Sequence, residues 1–67
     1  MRIFLNNQPV ELPNDHMTVK DLMTWKNINP QGKAIAIDDK LLKKADWEIT
    51  PLKELMNITV ISAAFGG

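Results

Sequence analysis

The chain has 67 residues, no cysteine, one histidine, and eight basic against eight acidic side chains. This length allows one domain, and the lack of cysteine excludes disulfides and thiolate-bound metals, so apolar packing must support the fold. The balanced charge argues against nucleic acid or an anionic membrane as partner, and no apolar run is long enough to cross a membrane.

The N-terminal segment does not look like a signal peptide. Its apolar stretch, from Met1 to Leu5, is short, and no small-residue cleavage site follows it. We therefore expect a cytoplasmic protein whose fold begins at residue 1.

The first two predicted elements form a hairpin. Residues 1–5 alternate in the manner of a strand, with Ile3 and Leu5 on one side and Phe4 on the other. Residues 6–8 supply turn formers, and residues 9–12 return as a second strand. Because proline cannot donate a hydrogen bond to a neighbouring strand, Pro9 should lie at a strand start or at an edge of the sheet.

A helix of about ten residues is predicted next, ending near Asn27. Thr18 is a suitable N-cap, and Asp21 can complete a capping box. Met17 before the cap and Leu22 after it fit a hydrophobic staple. Residues 29–32, which read Asn-Pro-Gln-Gly, then end the helical pattern.

The sequence pattern in the second half of the chain predicts three strands. Residues 33–38 alternate, with Ile35 and Ile37 facing one way, and a turn at 38–40 leads into a short strand at Leu41-Leu42. Residues 43–56 are irregular, with one expected helical turn around Trp47 and another after Pro51. Residues 57–63 form the last strand.

The resulting order of elements is strand, strand, helix, strand, strand, strand. We predict an α+β domain over residues 1–67, with a mixed sheet of four to five strands packed on one main helix. The last strand should lie beside the first. Residues 64–67 are predicted to form a flexible tail.

Three polar features have a structural interpretation that we prefer to a catalytic one. His16 has no nucleophile or acidic partner near it in sequence and is expected in a solvated loop. The neighbouring Asp38 and Asp39 are more typical of a turn than of a metal site. The pair Lys43-Lys44 is expected to be solvated.

The end of the chain carries the strongest functional signal. The sequence finishes with Gly66-Gly67 directly after an apolar, strand-like run. Two glycines weaken a strand, but residues without side chains can enter a narrow channel and present a terminal carboxylate. We therefore interpret Gly67 as a group that another protein acts on.

These stretches together resemble the ThiS family of sulfur carriers, which has the ubiquitin-like β-grasp fold. The matching stretches are residues 1–6, 18–22, 34–38, 42–47 and 58–67. One departure lies before the last strand, where family members usually have a Gly-Asp turn and this chain has Leu55-Met56. The departure affects the expected turn geometry there and leaves the chemistry at Gly67 unchanged.

The resemblance implies a sulfur carrier of thiamine biosynthesis that is not itself an enzyme. A ThiF-like adenylyltransferase of the ubiquitin-activating type would adenylate the Gly67 carboxylate, and a persulfide donor would convert it to a thiocarboxylate. A ThiG-like thiazole synthase would then use the sulfur. The carrier would bind no cofactor or metal, because ATP and magnesium belong to the activating enzyme.

The resemblance also implies a docking surface on the sheet. If Ile3, Leu5 and their neighbours face the helix, an uncovered apolar patch that includes Ala34 and Ala36 remains on the opposite side, where related carriers contact their activating enzyme. The residues expected to contact a partner are Phe4, Ile61, Ala63, Ala64 and Phe65. Phe4 and Ile61 are the expected anchors, and the alternative is that they pack beneath residues 43–56.

Three other functions stay open at this point. The small subunit of molybdopterin synthase has the same fold and ending, but that family is usually longer and has a proline pair before its glycines, which residues 62–65 lack. A ubiquitin-like covalent modifier would share the activation chemistry. A plain interaction domain would leave the glycines inert.

Overall fold

A computed structural model describes residues 1–62 as a five-stranded mixed sheet with one α-helix on one of its sides. The elements are β1 (Arg2–Leu5), β2 (Gln8–Glu11), α1 (Val19–Trp25), β3 (Lys33–Ile37), β4 (Lys40–Leu42), a 3-10 helix (Lys44–Ile49) and β5 (Asn57–Ser62). The strands follow the order β2-β1-β5-β3-β4 across the sheet. The expected α+β architecture is therefore confirmed, with five strands. The predictions for Ala63 and for the tail at 64–67 lie outside the described residues.

Both hairpins have tight turns of two residues. Asn6 and Asn7 have φ of 50° and 66°, and Asp38 and Asp39 have φ of 49° and 69°. Two successive positive φ angles match the right-handed twist of hairpin strands, and Asn and Asp tolerate them better than most residues. The turn interpretation of the aspartate pair is thus confirmed. Pro9 lies on β2, which is an edge strand, as its missing N–H requires.

The last strand runs through the middle of the sheet. β5 pairs in parallel with β1 and antiparallel with β3, where Ile35 lies opposite Val60. The prediction that the last strand lies beside the first is confirmed. Because β5 is central, its last residue, Ser62, lies in the middle of one end of the sheet and not at an edge.

The start of α1 is held by its own cap and by a neighbouring segment. The Thr18 hydroxyl accepts a hydrogen bond from the Asp21 N–H, and the Asp21 carboxylate accepts one from the Thr18 N–H, which completes the capping box. The carbonyl of Thr50 accepts the Val19 N–H at 3.0 Å. These contacts satisfy helix donors that have no partner within the helix.

The helix is shorter than the ten residues predicted and ends at Trp25. Asn27 has φ of 57°, and the N–H of Ile28 reaches back to the carbonyl of Met23 at 2.8 Å. This pattern is a Schellman motif, in which a residue in the left-handed conformation turns the chain away and satisfies the last carbonyls. Asn27 therefore lies just outside the helix and ends it.

Residues 43–56 contain one helical segment and not two. The 3-10 helix brings Trp47 into the core, where it is 3% exposed. The second predicted helical turn, after Pro51, is wrong. Pro51 pairs with Thr18 in an isolated bridge, and the Met56 N–H bonds the Lys53 carbonyl at 3.1 Å in a simple turn. Pairing with the start of α1 holds this stretch extended.

The core lies between the sheet and α1. It contains the buried apolar side chains of the inward strand positions, the connection between β2 and α1, the helix, and the long connection before β5: Ile3, Leu5, Leu12, Met17, Val19, Leu22, Met23, Ile35, Trp47, Leu52 and Ile58. Met17 and Leu22 are both in this cluster, as the hydrophobic staple requires.

Candidate functional site

The side of the sheet that faces away from α1 carries a run of small and apolar residues, which we call the open face. Pairing places Ala34 opposite Ile61 and Ala36 opposite Thr59, so these four side chains share one side. Phe4 alternates with the buried Ile3 and Leu5 and projects to the same side. The open face is therefore the following set: Phe4, Ala34, Ala36, Leu41, Thr59 and Ile61.

The expected anchors are on the open face, although they differ in exposure. Ile61 is 42% exposed, whereas Phe4 is half-buried. Neither Phe4 nor Ile61 belongs to the core described above. From the segment 43–56, Trp47 and Leu52 pack into that core, on the helix side of the sheet. The alternative, in which Phe4 and Ile61 lie beneath that segment, is therefore not supported.

One prediction about the open face needs correction. Ala36 was expected on an uncovered surface, but it is only 7% exposed. It pairs with Leu41 on one side and with Thr59 on the other. These larger side chains cover its single methyl group. The alanines therefore form the floor of the open face, and the larger side chains around them present the contact area.

Leu41 is the open-face residue that the sequence interpretation missed. It is 76% exposed and lies directly opposite Ala36. The two-residue turn at Asp38-Asp39 sets the hairpin register, which sends Leu42 towards the core and Leu41 to the outside. A register count from that turn would have revealed it, since adjacent strand residues face opposite ways.

The end of β5 is also the end of the described part of the chain. Ser62 lies opposite Lys33, the first residue of β3, at the end of the sheet that also holds the loop after α1. The other expected site residues, which are Ala63, Ala64, Phe65, Gly66 and Gly67, lie outside the described residues. Ile61 precedes Ser62 by one residue, so the open face extends to the end of the described chain.

The remaining polar residues considered from the sequence lie on the surface. His16 is exposed in its loop, and its backbone N–H donates to the Asn14 side chain at 2.9 Å. Lys43 and Lys44 are also exposed, and the Lys44 ammonium donates to the Pro30 carbonyl at 3.0 Å. Within residues 1–62 no group of three or more histidines and carboxylates lies close enough together to hold a metal ion.

In the described part of the chain, neither helix is long and apolar enough to span a bilayer.

The fold has a near-complete counterpart among solved structures. The crystal structure of a thiamine biosynthesis protein (ThiS) from Geobacter metallireducens superposes with a TM-score of 0.88. All of this chain and all of that one are covered, at 14% sequence identity. At this identity the likeness shows the shared fold alone. A comparison with curated proteins finds no match.

The family comparison covers almost the whole chain. The model of the ThiS family matches residues 3–67, a range that contains every strand, the helix and the terminal glycines. This match supports a sulfur carrier in thiamine biosynthesis that is not a catalyst. The chain therefore belongs to the ThiS family.

Proposed function

We propose that this protein delivers sulfur for thiazole formation in thiamine biosynthesis, with the sulfur held on the carboxylate of Gly67. The observation that carries the proposal is the ThiS family match, which extends from Ile3 to Gly67 and so includes the terminal glycine pair. The chain contains no cysteine. Any sulfur that it carries must therefore be bound to a group other than a thiol of its own.

The proposed loading reaction has three steps. The Gly67 carboxylate attacks ATP to form an acyl-adenylate and pyrophosphate, which replaces a poor leaving group by AMP. The terminal sulfur of a protein persulfide then attacks the carbonyl carbon, so that a C–S bond forms, the C–O bond to AMP breaks, and an acyl disulfide results. A thiol or another two-electron reductant cleaves the S–S bond and leaves a thiocarboxylate on Gly67.

The catalytic groups in this scheme belong to the partners. A ThiF-like adenylyltransferase would bring ATP and magnesium, and a ThiG-like thiazole synthase would accept the sulfur. The proposed role of this chain is that of a protein cosubstrate, with no cofactor of its own. A cytoplasmic location is proposed because the first step consumes ATP.

The open face is proposed to dock on the activating enzyme. Phe4 and Ile61 are the proposed anchors, and Leu41 extends the same apolar surface across the sheet. A partner that covers Ile61 also covers the exit of the chain, one residue further on. The five residues after Ser62 can reach about 17 Å when extended, which is enough to enter an active site beside the docking surface.

Side-chain contacts of Ala63, Ala64 and Phe65 would guide the tail into that site, and Gly66 would let the backbone pass close to the nucleotide. Glycine suits this position because a backbone without a Cβ can approach a ligand closely.

Intact-mass spectrometry tests the proposal. Incubation with ATP, the activating enzyme and a persulfide donor should add the mass difference between sulfur and oxygen, and fragmentation should locate it at Gly67. A chain that lacks Gly67 is the matched control and should stay unchanged. If the full chain gains no sulfur, or if the shortened chain supports growth of a thiazole auxotroph, the proposal is wrong.

Two further assays of this protein distinguish a sulfur carrier of thiamine biosynthesis from the other functions considered. Covalent conjugates on the lysines of other proteins would indicate a modifier instead of a carrier. Restoration of molybdopterin synthesis, without restoration of thiazole synthesis, would indicate the molybdopterin pathway.

A further inference from the structure

The two edges of the sheet differ in what they offer to another strand. The edge strands are β2 and β4. At β2 the Leu12 N–H donates to the Met1 carbonyl, and strand residues bond to one neighbour at alternate positions, so Pro9 and Glu11 direct their backbone groups outward. Because proline has no N–H, this edge lacks a donor where a further strand would need one. The β2 edge is therefore protected against pairing.

The β4 edge has no such protection. The N–H of Asp38, the residue after β3, donates to the Asn57 carbonyl at 2.9 Å, so alternate residues of β3, Ala36 among them, bond to β5. The pair of Ala36 and Leu41 is therefore one that exchanges no hydrogen bonds. The N–H and C=O of Leu41 point away from the sheet, and within residues 1–62 no other group bonds to them.

The residues around Leu41 give this edge opposite charges at its two ends. Leu41 itself is 76% exposed. Asp39 lies two residues before it and Lys43 two residues after it, and both are exposed. Lys43 has φ of −62° and ψ of 140°, so the extended backbone continues through it. A second copy of this segment, laid antiparallel, brings the acidic end of each copy beside the basic end of the other.

We propose that β4 pairs antiparallel with β4 of a second copy, with Leu41 on the twofold axis. The N–H and C=O of Leu41 bond to those of Leu41 in the second copy, and the two leucine side chains lie side by side. Asp39 of each copy lies beside Lys43 of the other, so the opposite charges meet twice. The two five-stranded sheets then form one continuous sheet, with both open faces on the same side.

The charges favour this register over its neighbours. Only residues whose backbone groups point outward can bond to the second copy, so the strands can shift only in steps of two residues. A shift that pairs Leu41 with Lys43 places Lys40 opposite Lys44. The opposite shift, which pairs Leu41 with Asp39, places Lys40 opposite Lys40 of the second copy. Like charges in opposed positions destabilise a strand pair, and the register centred on Leu41 opposes none.

The same segment supplies both halves of the charge match, which favours a second copy over a strand of another protein. The contact is small. Three strand residues on each copy bury much less than the roughly 1,200 Å² typical of stable interfaces, so the dimer is weak and forms at high protein concentration. Phe4 and Ile61 lie on β1 and β5, so the anchors of the proposed docking surface stay uncovered in the dimer.

Sedimentation equilibrium and amide chemical shifts of the full chain, without any enzyme, test this proposal. We expect dimers at millimolar and monomers at low micromolar concentration, with the largest shifts in β4. Leu41→Pro should abolish the dimer, because it removes the outward N–H as Pro9 does on β2. Lys43→Asp should weaken the dimer several-fold by placing two acidic residues together. A chain with both Asp39→Lys and Lys43→Asp should regain it, since opposite charges meet again.

Lys53→Asp is the matched control, because it changes the net charge equally at an exposed residue outside β4. A chain that stays monomeric at millimolar concentration would overturn the proposal, as would a dimer that Lys43→Asp leaves unchanged or that the charge exchange fails to restore. A dimer lost in Phe4→Asp but kept in Leu41→Pro would place the contact on the open face and would also overturn it. Sulfur loading is measured separately at low concentration, so failure of the carrier function leaves this result interpretable.

Discussion

The side-chain carbonyl of Asn6 accepts a 2.8 Å hydrogen bond from the backbone N–H of Val60, across 54 residues of sequence. The Asn6 N–H in turn donates to the Ile58 carbonyl, so the first turn of the chain continues the pairing between β1 and β5. Asn6 therefore does more than form a turn, because it also holds β5, the last described strand, beside β1.

Replacing Asn6 by glycine should separate these two roles. Glycine keeps the positive φ but leaves the Val60 N–H without its partner, so we expect the free energy of unfolding to fall by about 0.5–1.5 kcal/mol. Asn7→Gly is the matched control: it also has positive φ, and Asn-Gly is a preferred sequence for this turn, so no loss is expected. Urea unfolding measures both, and equal losses in the two variants would contradict the assigned role of the Asn6 side chain.

Leu55 is held in a conformation that glycine prefers. Its φ is 62°, and its N–H donates to the Arg2 carbonyl at 2.6 Å, just before β5. Relief of the steric cost should exceed the entropic cost of glycine, so Leu55→Gly should raise the free energy of unfolding by about 0.5–1 kcal/mol. Leu41→Gly, at another exposed leucine but within a strand, should lower it. A destabilised Leu55→Gly variant would show that the leucine side chain itself contributes to stability.

The capping box predicts a measurable helix contribution. Thr18→Ala removes the oxygen that accepts the Asp21 N–H and should cost about 1 kcal/mol in thermal or chemical unfolding. Thr24→Ala, on an exposed helix position, should be neutral or slightly stabilising, since alanine has the higher helix propensity. A Thr18→Ala variant as stable as the wild type would mean that the Thr50 carbonyl and water suffice to hold this helix end.

The two faces of β5 should respond differently to the same substitution. Ile58 is fully buried, and Ile58→Val should destabilise the protein by about 0.5–1.5 kcal/mol through lost packing and a small cavity. Ile61→Val removes one methyl group from an exposed side chain on the open face and should have almost no effect on unfolding. Comparable losses at both positions would indicate that the open face is covered in the isolated protein.

Docking of the open face can be tested apart from folding. Ile61→Asp and Phe4→Asp should lower kcat/KM for adenylation, measured as pyrophosphate exchange, because a charge would be buried at the contact. Ile49→Asp is the matched control, since Ile49 is 73% exposed but belongs to the 3-10 helix on the other side of the sheet. Circular dichroism should show folded protein in each case. Normal activation of the Ile61 and Phe4 variants would exclude this surface as the docking site.

Local patterns in the sequence determined most elements of the fold. The alternation around Ile35 and Ile58, the Thr18 cap and the two turns of Asn and Asp residues act over a few positions, so one sequence suffices to identify them. The terminal glycines are equally local, and the proposal that the Gly67 carboxylate carries the sulfur begins from them.

Only the tertiary structure decided which side chains are exposed and how the irregular segment before β5 runs. These features depend on contacts between residues that are distant in the chain. The exposure of Leu41 follows from hairpin register, and the burial of Ala36 follows from the size of its neighbours on two other strands. The extended path after Pro51 requires pairing with Thr18. The cavity of about 300 Å³ that Trp47 lines requires α1, the loop after it and the 3-10 helix to meet. No periodicity in one segment encodes such an arrangement.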